Sequence, residues 1–471
     1  MNFVMIISDT LRRDHLGCYG NDWISTPNID RFASRSVVFD RAYAASFPTV
    51  PHRHDVLTGR YTFIDSRWQP LPRHEVVLAE ELAKAGYTSM MILDQPHILE
   101  NGFHYDRGFT GWEWIRGQET DRWQTSPARS PMPCSPQKLR SPDNTVQVHQ
   151  RNIHWRQYEE DTFVAQTMTV ACRWLERNWK EHERFFLYVD TFDPHEPWDA
   201  PQWYVDMYDP GYEGEKVNYP LYGPSEYLSS KELGHARALY AAEVTLVDRW
   251  VGRLLQSIED MGLLENSVVA FTTDHGFYHG EHGLIGKNDI SQGWLRYVPL
   301  YEEVAHIPLI LHYPGCQPRR EQAFVQPPDF MPTFLELAGA ADSGTMHGRS
   351  LVPLLEGSGT TWRKFTVTSP TLIPGAIAGI RATITSDEWA FICAGKLSRG
   401  GECEDLAVDG LVKRLPMGEV YPSELYHLPS DPQQQRNVID QHPEVAVEMR
   451  QAFTGFLEGL GTDPSFIEPW R

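Results

Sequence analysis

Residues 3–9 read Phe-Val-Met-Ile-Ile-Ser-Asp, an unbroken apolar run that ends in a hydroxyl and a carboxylate. Continuous apolar runs of this length are typical of parallel strands that are buried on both faces of a sheet. Three further runs have the same form and each ends in an aspartate: Thr88 to Asp94, Phe185 to Asp190 and Val268 to Asp274. The four runs predict the central strands of one mostly parallel sheet.

Helical patterns lie between these runs. In residues 235–261 the apolar positions that share one helical face are Val247, Trp250, Val251, Leu254 and Leu255. Strands that alternate with helices predict right-handed crossovers, with helices covering both faces of the sheet. Ligands of such folds bind beyond the carboxyl ends of the strands, where Asp9 and Asp274 are expected to lie.

The pattern changes towards the carboxyl end of the chain. Short strands are predicted at Ala376 to Thr385 and Trp389 to Cys393, followed by a helix near Pro443 to Leu460. We therefore predict an α/β fold, in which residues 1–364 form a large mostly parallel sheet sandwiched by helices and residues 365–471 form a smaller α+β domain. A chain of 471 residues is long enough for two such units.

The chain carries 42 basic and 63 acidic residues, which gives a formal net charge of −21. This charge repels duplex nucleic acid and anionic membranes at long range, so neither is expected as a partner. No apolar run reaches about 18 residues, and the amino terminus lacks the features of a signal peptide. The six cysteines are scattered without a Cys-x-x-Cys pair, as in a reduced compartment. We expect a cytoplasmic protein, and the sequence leaves a homo-oligomer open.

Polar residues at two predicted strand ends could hold a divalent cation. Asp9 and the pair Asp274-His275 supply carboxylate and imidazole ligands. An aspartate at a strand end is also a common cap or turn residue, so Asp9 alone does not define a metal site. Thr49 and Arg53 lie at the start of a predicted helix. A hydroxyl, a helix amino end and a guanidinium together suit an anionic tetrahedral group.

Six stretches of the chain match motifs of one enzyme family. They are Ser8 to Gly20 with Thr26 to Asp30, Thr49 to Arg60 at the place of a CxPSR…LTGR signature, Asp193 to Pro197, Asp274 to Lys287, His347 to Leu355, and Glu424 to Pro432. On these motifs the chain resembles the sulfatase branch of the alkaline phosphatase superfamily, nearly end to end. The resemblance implies an alkaline phosphatase-like fold that acts on a small anionic ester.

The resemblance also implies a role for each candidate residue. The ligands of one divalent metal ion would be Asp9, Thr49, Asp274 and His275. The groups that contact the substrate or protonate the leaving oxygen would be Arg53, His97, His195 and Lys287. A cation lowers the pKa of a bound hydroxyl, and fixed positive groups stabilise charge on the transferred group. Thr49 would therefore be the nucleophile.

Three positions depart from the family's pattern. Sulfatases convert a cysteine or serine into formylglycine, whereas Thr49 cannot yield that aldehyde, so no formylglycine is expected. The family's Asp-Asp and Asp-Asn pairs read Asp9-Thr10 and Asp274-His275 here. The gain of an imidazole shifts the expected metal from calcium towards zinc, manganese or iron. A Gly-Lys-Trp-His element reads Asp94-Gln95-Pro96-His97, which keeps the histidine and lacks the lysine.

A threonine nucleophile with an Asp-His pair is similar to the phosphodiesterase members of the superfamily, and the pair also occurs in its phosphonate monoester hydrolases. We therefore predict a metal-dependent hydrolase of phosphodiesters or phosphonate monoesters. Two alternatives stay open: a sulfuric ester hydrolase without formylglycine, and a catalytically silent homologue that binds an anion. Bimetallic members show an Asp-x-x-x-His spacing that Asp190, Asp193 and His195 do not match, so one metal is expected.

Overall fold

The four apolar runs form neighbouring strands of one sheet in this computed structural model. The structure describes residues 1–127, 129–291, 295–342, 344–357, 362–373, 380–395 and 422–471. Its strands are β1 (Asn2–Ser8), β2 (Val37–Ala42), β3 (Ser46–Phe47), β4 (Thr88–Leu93), β5 (Gly111–Trp114), β6 (Phe185–Thr191), β7 (Gly223–Pro224), β8 (Ser267–Thr272), β9 (Tyr278–His279), β10 (Leu284–Gly286), β11 (Leu309–His312), β12 (Arg319–Val325), β13 (Phe365–Pro370), β14 (Arg381–Ser386), β15 (Trp389–Ala394) and β16 (Glu424–His427). Its α-helices are α1 (Pro27–Ala33), α2 (Thr49–Thr58), α3 (Leu78–Lys84), α4 (Gln147–Ile153), α5 (Phe163–Asn178), α6 (Gln202–Val205), α7 (Ser230–Asp260), α8 (Glu302–Ala305), α9 (Phe330–Ala338), α10 (Val352–Leu355), α11 (Pro443–Gly459) and α12 (Pro464–Ile467).

The large sheet has the strand order β12-β2-β11-β8-β1-β6-β4-β5. Strand β1 pairs in parallel with β6 and β8, and β4 pairs in parallel with β5 and β6. Only β11 runs against its neighbours β2 and β8 in this sheet. Ile7 lies opposite Asp190 on one side and Thr272 on the other. The carboxyl ends of these three strands therefore meet at one edge of the sheet, as the sequence predicts.

Helices cover both faces of this sheet, which explains why β1 shows no apolar alternation. Val4 and Ile6 pack into a core that includes residues of α5 and α7. Phe3 and Met5 pack into a second core, on the opposite face, that includes residues of α2, α3 and α9. The predicted α/β fold with a mostly parallel sheet is confirmed. None of the described helices is both long and apolar enough to cross a membrane.

A smaller sheet with the order β16-β15-β14-β13-β3 forms the predicted carboxyl-terminal region, and α11 packs into the same core. Its strand β3 comes from the amino-terminal part of the chain, since Ser46 pairs with Ser369. The predicted division at residue 364 stays a prediction. Strand β14 begins at Arg381, and residues 376–379 of the strand predicted there lie outside the described residues.

Asp55 connects β3, the following helix α2 and the turn after that helix. Its buried carboxylate accepts hydrogen bonds from the amide and hydroxyl of Ser46, both at 2.7 Å. It also accepts from the amide of Thr62 at 2.8 Å and from the Thr62 hydroxyl at 2.7 Å. Burial raises the pKa of Asp55 to about 7. These four bonds position the helix that carries Thr49 against the smaller sheet.

Replacement of Asp55 by alanine should therefore destabilise the protein strongly. The Asp55→Ala change removes the shared acceptor of four buried hydrogen bonds, and we expect a loss of roughly 3 to 5 kcal/mol in the free energy of unfolding. Urea unfolding followed by circular dichroism measures this loss. Asp440→Ala, which removes an exposed carboxylate, is the control and should change stability by less than about 0.5 kcal/mol. Equal stability of the two variants would contradict the role of Asp55.

Candidate active site

Asp9, Asp274 and His275 form a buried group at the carboxyl edge of the large sheet, which we call the metal group. Asp9 follows β1, and the other two residues come shortly after the adjacent strand β8. One ligand atom from each residue lies within 4.8 Å of the other two. Among the described residues this is the one group of three or more histidine, cysteine or acidic side chains that could hold a metal ion. The structure thus brings together three of the four predicted ligands.

The electrostatics of this group fit a cation. Burial, together with the charge of Asp274, raises the pKa of Asp9 to about 8. Burial lowers the pKa of His275 to about 3, so its imidazole is neutral, which is the form that binds metals. Two adjacent buried carboxylates repel each other, and a divalent ion between them would offset this repulsion.

Thr49, the predicted nucleophile and fourth ligand, is the first residue of α2. Its side chain is almost fully buried. The preceding Pro48 is the N-cap residue, so Thr49 lies at the end of the helix where amide groups and the helix dipole favour negative charge. This position suits a hydroxyl that loses its proton during a reaction.

Arg53 links Thr49 to both carboxylates of the metal group. Its Nη1 atom lies 3.0 Å from Asp9 Oδ2 and 2.5 Å from Asp274 Oδ2. The same nitrogen lies 3.4 Å from the carbonyl oxygen of Thr49, one helical turn earlier. Nε and Nη2 of Arg53 donate to the carboxylate of Asp190 at 3.0 and 2.7 Å. Arg53 is therefore held by three buried carboxylates.

Lys287 places a second cation beside the metal group. Its Nζ atom donates to the hydroxyl of Thr10 at 3.3 Å and lies 3.5 Å from Nε2 of His275. The side chain is buried, and its ammonium group therefore contributes positive charge to the interior of the site rather than to the protein surface. This placement agrees with the predicted contact to an anionic group.

His195 and His97 lie close together beyond the ends of β6 and β4. Both rings contact Phe192, with centroids 4.0 Å away for His195 and 5.7 Å away for His97. Nδ1 of His195 is 2.5 Å from the carbonyl oxygen of Glu196, and burial together with Lys287 holds the pKa of His195 well below its usual value. Nε2 of His97 lies 3.0 Å from Oε2 of Glu119. The fold thus gathers every predicted site residue at one edge, while their roles stay predictions.

Sequence reasoning missed several residues that hold the metal group in place. Gln95, at the position of the family's lysine, donates from Nε2 to Asp9 at 2.8 Å. Thr10 adopts a positive φ of 60°, which lets its amide donate to Asp274 at 2.8 Å while its hydroxyl donates to Asp9 at 2.7 Å. Asp190 also ends an apolar run, but the sequence does not show that Arg53 is its partner.

Comparison with known proteins agrees with this geometry. A sequence profile described as Sulfatase matches residues 1–340. The chain is 26% identical to an arylsulfatase of Clostridium perfringens, over 77% of this chain and 80% of that protein. It is 29% identical to an N-acetylglucosamine-6-O-sulfatase of Bacteroides thetaiotaomicron, over 77% of this chain and 73% of that protein. Its fold matches a phosphonate monoester hydrolase of Agrobacterium radiobacter with a TM-score of 0.73 and 19% identity, over 98% of this chain and 96% of the other.

A family profile that covers well over half of the chain defines the class of protein. The chain belongs to the sulfatase family, whose profile matches residues 1–340. Enzymes of this family use a metal ion, and Asp9, Asp274 and His275 offer two oxygen donors and one nitrogen donor for it. The resemblance to this family found in the motifs is confirmed.

We expect the Asp274→Asn variant to lose most of its bound metal. The change removes the negative charge of one ligand while the shape of the side chain is kept, and charged oxygen ligands bind divalent ions more strongly than amides do. Elemental analysis of the purified variant measures its metal content. Asp94→Asn is a matched control, because Asp94 is a buried carboxyl at a neighbouring strand end that bonds to Phe192 and lies outside the metal group. Full metal occupancy in Asp274→Asn would contradict the assigned site.

Proposed function

We propose that this enzyme hydrolyses phosphodiesters or phosphonate monoesters, with Thr49 as the nucleophile and one divalent metal ion at Asp9, Asp274 and His275. The observation that carries the proposal is the position of Arg53 Nη1, which contacts both carboxylates and the backbone oxygen of Thr49. The backbone of Thr49 therefore lies within one arginine side chain of the candidate metal ligands. A metal ion at this site would favour the ionised form of a nearby hydroxyl and would offset negative charge on the transferred group.

The chemistry of threonine supports phosphorus over sulfur. Oxidation of a threonine side chain gives a ketone, so Thr49 cannot become the hydrated aldehyde whose second hydroxyl expels sulfate from its own carbon. An ester formed on Thr49 has to be cleared by attack of water on the transferred atom itself. A threonine nucleophile with an Asp-His pair resembles the phosphodiesterase members of the superfamily, which supports a phosphorus ester.

The charges of the other side chains indicate their roles in the proposed reaction. Arg53 and Lys287 are buried cations on the metal group, and they suit the equatorial oxygens of the transferred group. His97 and His195 both contact the ring of Phe192. Because the pKa of His195 is lowered well below its usual value, its neutral imidazole suits contact with the transferred group, whereas His97, which lies 3.0 Å from Glu119, suits protonation of the leaving oxygen. Attack by Thr49 would form the bond from its side-chain oxygen to phosphorus and release the hydroxyl proton to water. The bond from phosphorus to the leaving oxygen would break, and that oxygen would take up a proton from His97.

A sulfuric ester hydrolase that uses Thr49 directly is the second candidate. The relatives found by sequence include an arylsulfatase and a sugar sulfatase, and a sulfate monoester carries the same single negative charge as a phosphodiester. The preference between the two esters distinguishes the two functions.

We expect Thr49→Ala to lower kcat at least about a thousandfold, because the attacking oxygen is removed. Thr49→Ser keeps a hydroxyl and should retain part of the activity. Thr58→Ala removes a hydroxyl at the other end of α2, where it bonds to the backbone of His54, and should keep kcat within about twofold. Mass spectrometry of the quenched wild-type enzyme should find the substrate's phosphoryl or phosphonyl group on the peptide that contains Thr49. Unchanged turnover by Thr49→Ala would exclude Thr49 as the nucleophile.

A panel of aryl esters with the same leaving group tests the preferred substrate. We expect the metal-loaded enzyme to turn over the phosphodiester or the phosphonate monoester with a kcat/KM at least about tenfold above that for the sulfate monoester. A higher kcat/KM for the sulfate monoester would make the second candidate the function. Absence of turnover with zinc, manganese and iron would instead favour the anion-binding homologue.

A further inference from the structure

Asp190 is a buried carboxylate that the proposed reaction does not use. It lies within β6, next to the metal group, and its side chain has no exposed surface. Its two oxygens accept from Nε and Nη2 of Arg53 in a two-pronged arrangement. The hydroxyl of Tyr188 donates to Oδ2 of Asp190 at 2.8 Å, which fixes the carboxylate from the other side.

The two edges of the Arg53 guanidinium contact different carboxylates. Asp190 takes one edge, and Nη1 is directed towards Asp9 and Asp274. The two hydrogen bonds to Asp190 fix the orientation of the guanidinium, which a single bond to an ammonium group would not do. A metal ion at Asp9 and Asp274 would leave Asp190 as the one carboxylate that compensates Arg53 without being a metal ligand.

The charges around the site then nearly balance. The carboxylates are Asp9, Asp190 and Asp274, and the cations are Arg53 and Lys287. A histidine ligand binds a metal ion as the neutral imidazole, so His275 adds no charge. Burial, together with Lys287, lowers the pKa of His195 well below its usual value, which favours its neutral form. With one divalent ion bound, these groups carry a single net positive charge.

Charged groups farther from the metal ligands add little to the net charge of the site. Glu119 accepts a hydrogen bond from Arg140 at 2.6 Å and also lies 3.0 Å from Nε2 of His97, so its charge is compensated by these neighbours. Burial raises the pKa of Glu196, which also accepts from Tyr222, and this shift favours its neutral form. The site charge therefore depends mainly on the groups that contact Arg53, Lys287 and the metal ligands.

From this we infer that Asp190 is a specificity-determining residue, which sets the charge of the site so that esters with one negative charge are preferred over phosphate monoesters with two. The inference rests on the proposed function, since it concerns the substrate of that same site. Phosphodiesters, phosphonate monoesters and sulfate monoesters each carry one negative charge at neutral pH. A phosphate monoester loses a second proton near pH 6 and is mostly a dianion. Asp190 is thus a positioning residue that acts through Arg53.

The Asp190→Asn variant tests this inference because it removes one negative charge and keeps the shape of the side chain. We expect the ratio of kcat/KM for an aryl phosphodiester to kcat/KM for the matching phosphate monoester to fall about tenfold to a hundredfold, as the site gains positive charge near the substrate. Tyr188→Phe is the matched control, since it removes a hydrogen bond to the same carboxylate and leaves the charge unchanged. This control should keep the ratio within about threefold. An unchanged ratio in Asp190→Asn would overturn the inference.

The Lys287→Met variant tests the same net charge by removing a cation instead of an anion. It removes a cation, so the same ratio should rise even though overall activity falls. If Asp190→Asn does not fold, as judged by circular dichroism, Asp190→Ser replaces it, and added formate should restore the wild-type ratio by supplying a carboxylate. A ratio that does not respond to formate in Asp190→Ser, or to the loss of Lys287, would count against the inference.

Binding measurements separate this inference from the proposed function. Calorimetry of each metal-loaded variant with inorganic phosphate and with dimethyl phosphate compares a dianion with a monoanion without turnover. We expect Asp190→Asn to bind inorganic phosphate at least about tenfold more tightly relative to dimethyl phosphate than wild type does. This shift in an enzyme that hydrolyses no phosphorus ester would support the role of Asp190 while the proposed function fails. Hydrolysis of phosphodiesters with no shift in binding or in the ratio would leave the proposed function and overturn the inference alone.

Discussion

Repulsion among buried carboxylates at the sheet edge is the constraint on which the site depends. Asp9, Asp190 and Asp274 lie at or near the ends of three neighbouring parallel strands, because pairing in one direction brings those ends to the same edge. Burying like charges together is costly unless cations compensate them. Arg53 contacts all three carboxylates, and a metal ion would supply the rest of the compensation. The chemistry proposed for the site follows from this requirement for positive charge.

The rest of the fold positions that edge. Two apolar cores pack against the two faces of β1, and β3, which lies immediately before Thr49 in the chain, pairs with β13 of the smaller sheet. Asp55 ties β3 to α2 through four hydrogen bonds. Thr49 is therefore positioned by elements from both ends of the chain. A displacement of α2 would move Thr49 and Arg53 together.

Much of the fold could be predicted because strand burial leaves a local signature. The apolar runs that end at Asp9, Asp94, Asp190 and Asp274 are adjacent strands, although their order in the sheet differs from their order in the chain. The motifs also pointed to Asp9, Asp274, His275 and Arg53, which the structure brings together. Gln95, by contrast, could be seen only as the loss of a lysine, and its bond to Asp9 depends on how β4 lies relative to β1. The two strands are separated by β6, so no neighbouring pattern in the sequence encodes that contact.

The sequence by itself determined the four central strands, a helix within residues 235–261 and the candidate site residues, since periodicity, apolar runs and motifs are properties of short segments. Family membership came from the same motifs. Only the tertiary structure decided which charges meet. Asp190 and Arg53 lie 137 positions apart, and Glu119 reaches His97 from a separate loop. Such contacts depend on strand order, register and the paths of the crossovers, which are set by packing of the whole chain rather than by any local pattern.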